Sequence, residues 1–205
     1  MSEKEKEKEI LSALLSDASL EAESRYVGLY GPIDEENAST TIGSLLMLKE
    51  MARQEIPKEG AGESKIIKNP INLIISTHGG SAAEMFAIYD IMRVTMKKCE
   101  IHTMGIGKVM SAGVLLLAAG TKGKRKIGAY TRLMIHGVRG AQSGLIHDVE
   151  NEMSEMKWSQ QKFIEALVKE SNLTEKKIKR LISKKMDIYI DAKKAIDYGI
   201  ADKII

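Results

Sequence analysis

Three residues of this chain have side chains that could together hydrolyse an acyl bond. Ser111 stands within the most apolar stretch, GKVMSAGVLLLAAG, while His136 ends the apolar segment RLMIH and Asp187 opens DIYI. A serine hydroxyl becomes an effective nucleophile when an imidazole removes its proton, and a carboxylate can orient that imidazole. The order serine, histidine, aspartate therefore indicates nucleophilic acyl-transfer chemistry.

Each of these residues also has an ordinary structural explanation when it is taken alone. A serine before a helix is a common N-cap, a histidine at a strand end can be a packing residue, and an aspartate between a helix and a strand can cap a turn. Gly79-Gly80 lies between a predicted strand and a predicted helix. It could be a plain tight turn or a backbone loop that receives an anion. The residue types alone leave these alternatives open.

Length and composition restrict the class of protein. The 205 residues suit one domain with a sizeable core, and 43% hydrophobic with 29% charged residues is typical of soluble globular proteins. A net charge of +3 gives no support for a nucleic-acid partner. Cys99 is the only cysteine, which favours a reducing compartment. The start lacks a signal peptide and no apolar run reaches the ~18 residues of a membrane span, so we expect a cytoplasmic protein.

Strand and helix patterns alternate along the chain. They predict strands over 25–33, 72–77, 100–106 and 132–137, and helices over 39–54, 82–96, 144–169 and 174–184, with a surface loop over 55–65. Such alternation predicts an α/β fold whose sheet has parallel strands. Residues 1–24 form a charged, partly helical N-terminal segment, and residues 25–205 form the domain.

Four ordered segments resemble the ClpP family of self-compartmentalised serine peptidases. They are the glycine turn ISTHGGSAAEMFAIYDIM, the nucleophile segment GKVMSAGVLLLAAGTKGKRK, the base segment YTRLMIHG and the acid segment DIYIDAKKAIDYGIAD. Together they cover most of residues 71–205. Residues 25–54 fit the family more loosely, and residues 1–24 do not fit it.

The resemblance implies a role for each residue that matches the family's motifs. Ser111 becomes the nucleophile, His136 the general base and Asp187 the carboxylate that orients it, while the backbone amides of Gly80 and Ala112 become the oxyanion hole. The family uses no cofactor or metal for this chemistry. His78 beside His136 does not suggest a metal site, because no carboxylate or cysteine accompanies them at ligand spacing.

The resemblance also implies an architecture and partners. The fold would be the ClpP/crotonase-type spiral of β-β-α units with a protruding handle helix at about 137–170. An extended peptide would add as a strand beside the loop at 137–144. Family members form homo-oligomeric seven-fold rings, as one heptamer or as a stacked tetradecamer, and a partner AAA+ unfoldase ATPase delivers unfolded polypeptide to them.

The chain departs from the family's pattern at several positions. His78 replaces a proline, and Gly137-Val138 replaces Gln-Pro. Lys185-Met186 replaces the Asp–Arg pair that commonly links the two rings, and the Glu/Lys-rich start has no match to the apolar axial segment that engages the unfoldase. We therefore expect altered ring stacking, with His136 and Asp187 misaligned in an isolated chain or a single ring.

Two other functions remain open at this point. A non-catalytic or modulatory ring subunit would assemble with another peptidase, although the intact Ser–His–Asp set favours an active enzyme. A crotonase-like acyl-CoA enzyme could use Gly80 and Ala112 as its oxyanion hole, but no sequence feature calls for coenzyme A.

Overall fold

The computed structural model describes residues 25–57, 64–141, 143–183 and 186–205. The N-terminal segment predicted over residues 1–24 lies outside the described residues, so the division of the chain at residue 24 stays a prediction.

The strands and helices are numbered here along the chain. The strands are β1 (Tyr26–Ile33), β2 (Arg53–Pro57), β3 (Ser64–Lys68), β4 (Ile71–Gly80), β5 (Ile101–Met110), β6 (Lys126–Ile127), β7 (Arg132–Ile135), β8 (Ile188–Ile190) and β9 (Lys203–Ile204). The helices are α1 (Glu35–Glu50), α2 (Ala82–Thr95), α3 (Ala112–Ala118), α4 (Ile146–Glu170), α5 (Glu175–Ile182) and α6 (Ala192–Asp197).

A largely parallel sheet forms the centre of the fold. Within the described ranges it has seven strands, with β1, β4, β5, β6 and β9 as successive neighbours and β7 and β8 continuing from the end of β5. The pairings are parallel except for β7 with β8, which is antiparallel. Strands β2 and β3 form a separate antiparallel pair. This architecture confirms the predicted α/β fold class.

Helix α3 is buried along its whole length and fixes the end of β5. Every residue from Ala112 to Ala118 is buried, and Leu115, Leu116 and Leu117 are fully inaccessible to solvent. Burying one such side chain stabilises a fold by roughly 1.5–3 kcal/mol. Because the helix begins directly after Ser111, its packing holds that serine at a fixed point of the domain.

Several predicted boundaries were wrong, among them those of the first helix and of the loop over 55–65. Helix α1 begins at Glu35 rather than Ser39, because Asp34 caps it by accepting a hydrogen bond from the Asn37 amide at 2.9 Å, and it ends at Glu50. The loop predicted over 55–65 contains the ends of β2 and β3, which pair from Arg53 with Lys68 to Pro57 with Ser64. Cross-strand pairing of this kind leaves little trace in local composition.

The predicted long helix is present as α4, with 25 residues. Its first buried residue is Phe163, followed by Ile164 and Leu167, and all three pack in the core. Residues 146–162 include none that is buried, and Met153 and Trp158 are exposed. The N-terminal two thirds of α4 therefore extend beyond the core.

A buried polar network anchors the C-terminal end of α4. Glu170 is only 2% exposed, and its Oε1 accepts hydrogen bonds from the Tyr89 hydroxyl at 2.8 Å and from Arg93 Nη1 at 3.0 Å. Burial, followed by the hydrogen bond to Glu170, raises the pKa of Tyr89 to about 12. The carboxylate is thereby compensated, as a buried charge must be.

Arg125 joins this network to the C-terminus of the chain. It is 4% exposed, and it donates from Nη2 to Asp202 Oδ1 at 2.5 Å and from Nη1 to the Glu170 carbonyl at 2.8 Å. Burial acts to raise the pKa of Asp202, but the hydrogen bonds from Arg125 outweigh it and hold that pKa below the ordinary 3.8. Arg125 therefore ties the end of α4 to the β9 edge of the sheet.

We expect Asp202→Asn to lower the free energy of unfolding at pH 7 by about 3 kcal/mol, the low end of the loss when a buried pair loses one partner. Because the folded pKa of Asp202 lies below 3.8, this stabilisation is present above that pH and declines as the pH falls further. Urea unfolding at pH 7 and pH 3 measures both effects. The exposed Asp197→Asn is the matched control, and an equal loss in the two variants would contradict the assignment.

Candidate active site

Ser111 lies at a strained bend between β5 and α3. Its φ of 55° and ψ of −120° make it the one non-glycine residue with positive φ in the described ranges. Such backbone costs on the order of 1–3 kcal/mol and persists only where its surroundings enforce it. Here the Ser111 amide donates to the Met134 carbonyl at 2.7 Å, and the Ser111 carbonyl accepts from Val114 at 3.0 Å. The hydroxyl makes no helix-cap hydrogen bond, so capping does not account for this serine.

Gly79 packs directly against the Ser111 bend. Strand β4 was predicted to stop at residue 77, but it pairs with β1 as far as Gly80 through an irregularity between Gly31 and Pro32. The Gly79 φ is +94°, and a Cβ there would lie 2.6 Å from the Ser111 Cβ and 2.9 Å from the Met110 carbonyl oxygen. Only glycine allows so close an approach of the two strand ends.

Neighbouring residues fix the glycine turn on both sides. The Gly79 amide donates to the Oγ1 of the buried Thr77 at 2.9 Å. Beyond Gly80, the Ser81 amide donates to the Ile33 carbonyl at 2.8 Å, and the Ser81 hydroxyl caps α2. A Cβ at Gly80 would lie 2.2 Å from the same Ile33 oxygen, so Gly80 is held against the end of β1.

Four of the five predicted site residues line one cavity of about 450 Å³: Gly80, Ser111, Ala112 and His136. Strand ends of a parallel sheet are a common location for ligand sites, because side chains from separate strands meet there. Asp187 lies outside the lining of this cavity.

The rest of the cavity wall is mixed in character. Apolar side chains come from α2, β7 and α4 through Met85, Met134 and Phe163, whereas His78 and Arg139 contribute groups that can carry positive charge. An apolar wall with a few polar groups suits an organic side chain of a ligand.

His136 and Asp187 lie beside the last pair of the β7–β8 ladder. Ile135 pairs with Ile188 at this end, so His136 follows β7 and Asp187 precedes β8 directly. Their side chains contact other groups. His136 Nδ1 lies 2.5 Å from the Gly137 carbonyl oxygen, and Asp187 Oδ1 accepts a hydrogen bond from Arg139 Nη2. In this structure the two side chains therefore have separate partners.

Arg139 is the residue of this site that sequence reasoning missed. It lies three positions after His136 in a loop, and its side chain is 65% exposed. The one available signal was its basic character in the loop after the base segment. Its contact with Asp187 depends on the register of β7 and β8, which the sequence does not specify.

Cys99 does not offer a competing nucleophile. It is 4% exposed, and burial raises the pKa of its thiol, which disfavours the reactive thiolate.

Across the described part of the chain, no group of three or more His, Cys, Asp or Glu side chains is arranged to hold a metal ion. Nor does any helix there combine the length and apolarity needed to cross a membrane. Of the two residues that replace the family's ring-linking Asp–Arg pair, Lys185 lies outside the described residues and Met186 is exposed.

Comparison with known proteins identifies the family. A family model described as Clp protease matches residues 4–205, and the chain therefore belongs to the Clp protease family. An ATP-dependent Clp protease proteolytic subunit of Borreliella afzelii is 30% identical over 181 residues, which cover 88% of this chain and 83% of that protein. The ATP-dependent Clp protease proteolytic subunit 2 of Chlamydia pneumoniae is 32% identical over 202 residues, covering 98% and 87% respectively. Family membership makes this chain a ClpP-type proteolytic subunit; the roles of the individual site residues stay predictions.

We expect Gly79→Ala to be markedly more destabilising than Gly123→Ala. Both glycines have positive φ, +94° and +81°, so both substitutions introduce backbone strain. A Cβ at Gly123 meets nothing within 4 Å, whereas at Gly79 it overlaps Ser111 and Met110, which adds roughly 1–3 kcal/mol of overpacking. Urea unfolding of the two variants measures the difference, and equal losses would show that the approach of Gly79 to Ser111 is not tightly constrained.

Proposed function

We propose that this chain is an active serine endopeptidase subunit of a ClpP-type ring and hydrolyses peptide bonds of unfolded polypeptides. The observation that carries the proposal is the geometry of Ser111. Its strained backbone presents a hydroxyl that makes no cap hydrogen bond, at a cavity that His136 also lines. Strain of this kind is kept at functional sites, where the position of a side chain matters more than its contribution to stability.

In the proposed reaction, the Ser111 hydroxyl oxygen attacks the carbonyl carbon of the scissile peptide bond. His136 takes the hydroxyl proton through Nε2 and then gives it to the leaving amine, which yields an acyl-enzyme and frees the first product. Water repeats the sequence with His136 as base, and its attack releases the second product and restores Ser111. A hydrogen bond from His136 Nδ1 to the Gly137 carbonyl is consistent with the tautomer that leaves Nε2 free to accept.

The backbone amides of Gly80 and Ala112 are the proposed donors to the tetrahedral oxyanion. Both residues line the cavity beside Ser111. A fixed amide donor of this type is worth about 3 kcal/mol of transition-state stabilisation in other acyl-transfer enzymes. Because only the N–H is used, alanine at position 112 serves as well as any other residue.

Asp187 is the proposed carboxylate partner of His136. In this role it accepts from Nδ1 and stabilises the imidazolium formed when His136 takes the proton. The β7–β8 register supports the assignment, since the last pair of the ladder, Ile135 with Ile188, lies directly beside the two residues. No cofactor or metal takes part in the proposed reaction.

The proposed substrate is an extended segment of unfolded polypeptide. It would run past β7 and the loop at 137–141, with one apolar side chain against Met85, Met134 and Phe163. We further propose that the subunit assembles as a homo-oligomeric seven-fold ring, singly or stacked, and receives substrate from an AAA+ unfoldase. The relatives in Borreliella and Chlamydia are named as subunits of ATP-dependent proteases, which supports an ATPase partner here.

A non-catalytic ring subunit is the second candidate function. The ion pair of Asp187 with Arg139, in place of a bond to His136, is the observation that favours it. Purification only as a mixed ring with another peptidase, with no hydrolysis by this chain's own Ser111, would select this candidate.

We expect Ser111→Ala to abolish hydrolysis of a short fluorogenic peptide by the assembled protein, because the acyl-enzyme cannot form. Ser159→Ala is the matched control, since Ser159 lines the same cavity from α4 and has no role in the proposed reaction. That control should keep activity within about twofold of the original chain, an energy difference below 0.5 kcal/mol. Native mass measurement establishes that all three proteins assemble alike. Equal hydrolysis by Ser111→Ala and the original chain would contradict the proposal.

A further inference from the structure

We propose that Arg139 is a positioning residue that restrains the catalytic set by holding Asp187 away from His136. In this arrangement Asp187 orients His136 only after the Arg139–Asp187 ion pair opens. The inference rests on the proposed peptidase function and adds a residue that regulates the activity of the same site.

The contacts show that one carboxylate serves two possible partners. Arg139 Nη2 donates to Asp187 Oδ1, while His136 Nδ1 lies against the Gly137 carbonyl oxygen. His136 and Asp187 flank the last pair of the β7–β8 ladder, Ile135 with Ile188. In the proposed exchange the two side chains rotate, so that Asp187 leaves Arg139 and binds His136.

The two partners of His136 differ in what they contribute to catalysis. A backbone carbonyl can fix the tautomer of the neutral ring, as Gly137 does here. An ionised carboxylate also stabilises the imidazolium that forms when the ring takes the serine proton, because charge-assisted hydrogen bonds are stronger than neutral ones. The Arg139-bound state is therefore a slow state, in which His136 has a neutral carbonyl partner in place of the Asp187 carboxylate.

The exposure of the pair sets the size of the restraint. The Arg139 side chain is 65% exposed and that of Asp187 is 32% exposed. Ion pairs so open to water are weak and are screened by salt. The restraint is consequently a bias that a substrate or a neighbouring subunit can overcome by engaging Arg139, which also lines the cavity.

The test compares Arg139→Gln with the original chain in the steady-state hydrolysis of a short uncharged fluorogenic peptide. We expect kcat to rise roughly two- to fivefold with KM unchanged, the range that corresponds to losing an exposed ion pair. Arg139→Lys keeps the charge and should stay close to the original rate. The exposed Arg180→Gln on α5 is the matched control for loss of an arginine, and native masses of all variants establish equal assembly.

Ionic strength supplies a readout that general loosening of the loop would not give. Raising the salt from about 0.05 M to about 0.5 M should increase kcat of the original chain toward that of Arg139→Gln, while the variant responds less. In an Asp187→Asn background, Arg139→Gln should give no rise in kcat over Asp187→Asn alone, because no carboxylate remains to be released.

The outcomes separate this inference from the proposed function. If the original chain hydrolyses peptide through Ser111 and Arg139→Gln is equal or slower, the restraint is wrong and the peptidase function stands. If neither protein hydrolyses peptide and Ser111→Ala changes nothing, the proposed function is wrong and the restraint falls with it.

Discussion

Two parallel strands end side by side at the candidate active site, and the backbone of Gly79 there lies too close to Ser111 to admit a side chain. This approach makes the site possible, because it brings the glycine turn of β4 and the serine bend of β5 to one cavity. It also explains the backbone of Ser111. With Gly79 on one side and the Met134 carbonyl on the other, the bend is confined to its positive φ.

The rest of the domain keeps these strand ends in register. The wholly buried α3 fixes the chain immediately after Ser111, so the bend cannot relax into the helix. At the opposite end of α3, Arg93 and Arg125 both donate to its last carbonyls while they bind Glu170 and Asp202. The polar network thus links α3, α4 and the start of β9. Its charged groups are paired with one another within the protein.

Much of this could be predicted from the sequence, for identifiable reasons. Apolar periodicity located the central strands and α4, and the ordered motifs around Ser111 and His136 indicated the family that the comparison identifies. The predicted start of α1 at residue 39 was wrong because Asp34 caps the helix instead. The β2–β3 pair and the reach of β4 to Gly80 depend on contacts between distant segments.

The side-chain arrangement of the site was the part that the sequence predicted least well. Sequence indicated Asp187 as the partner of His136, whereas its contact with Arg139 arises from the path of the loop after β7. Short polar contacts on a loop are determined by tertiary geometry and by competition between nearby donors. For that reason the sequence predicts the set of catalytic groups better than it predicts their pairing.

Mapping of a covalent adduct tests the central claim, that Ser111 is the nucleophile, most directly. The assembled protein would be treated with a fluorophosphonate, digested and examined by mass spectrometry for the modified residue. Our account predicts one adduct, on Ser111, which depends on His136 and disappears in His136→Ala. An adduct on another cavity residue such as Ser81 or Ser159, or equal labelling of Ser111 without His136, would contradict it.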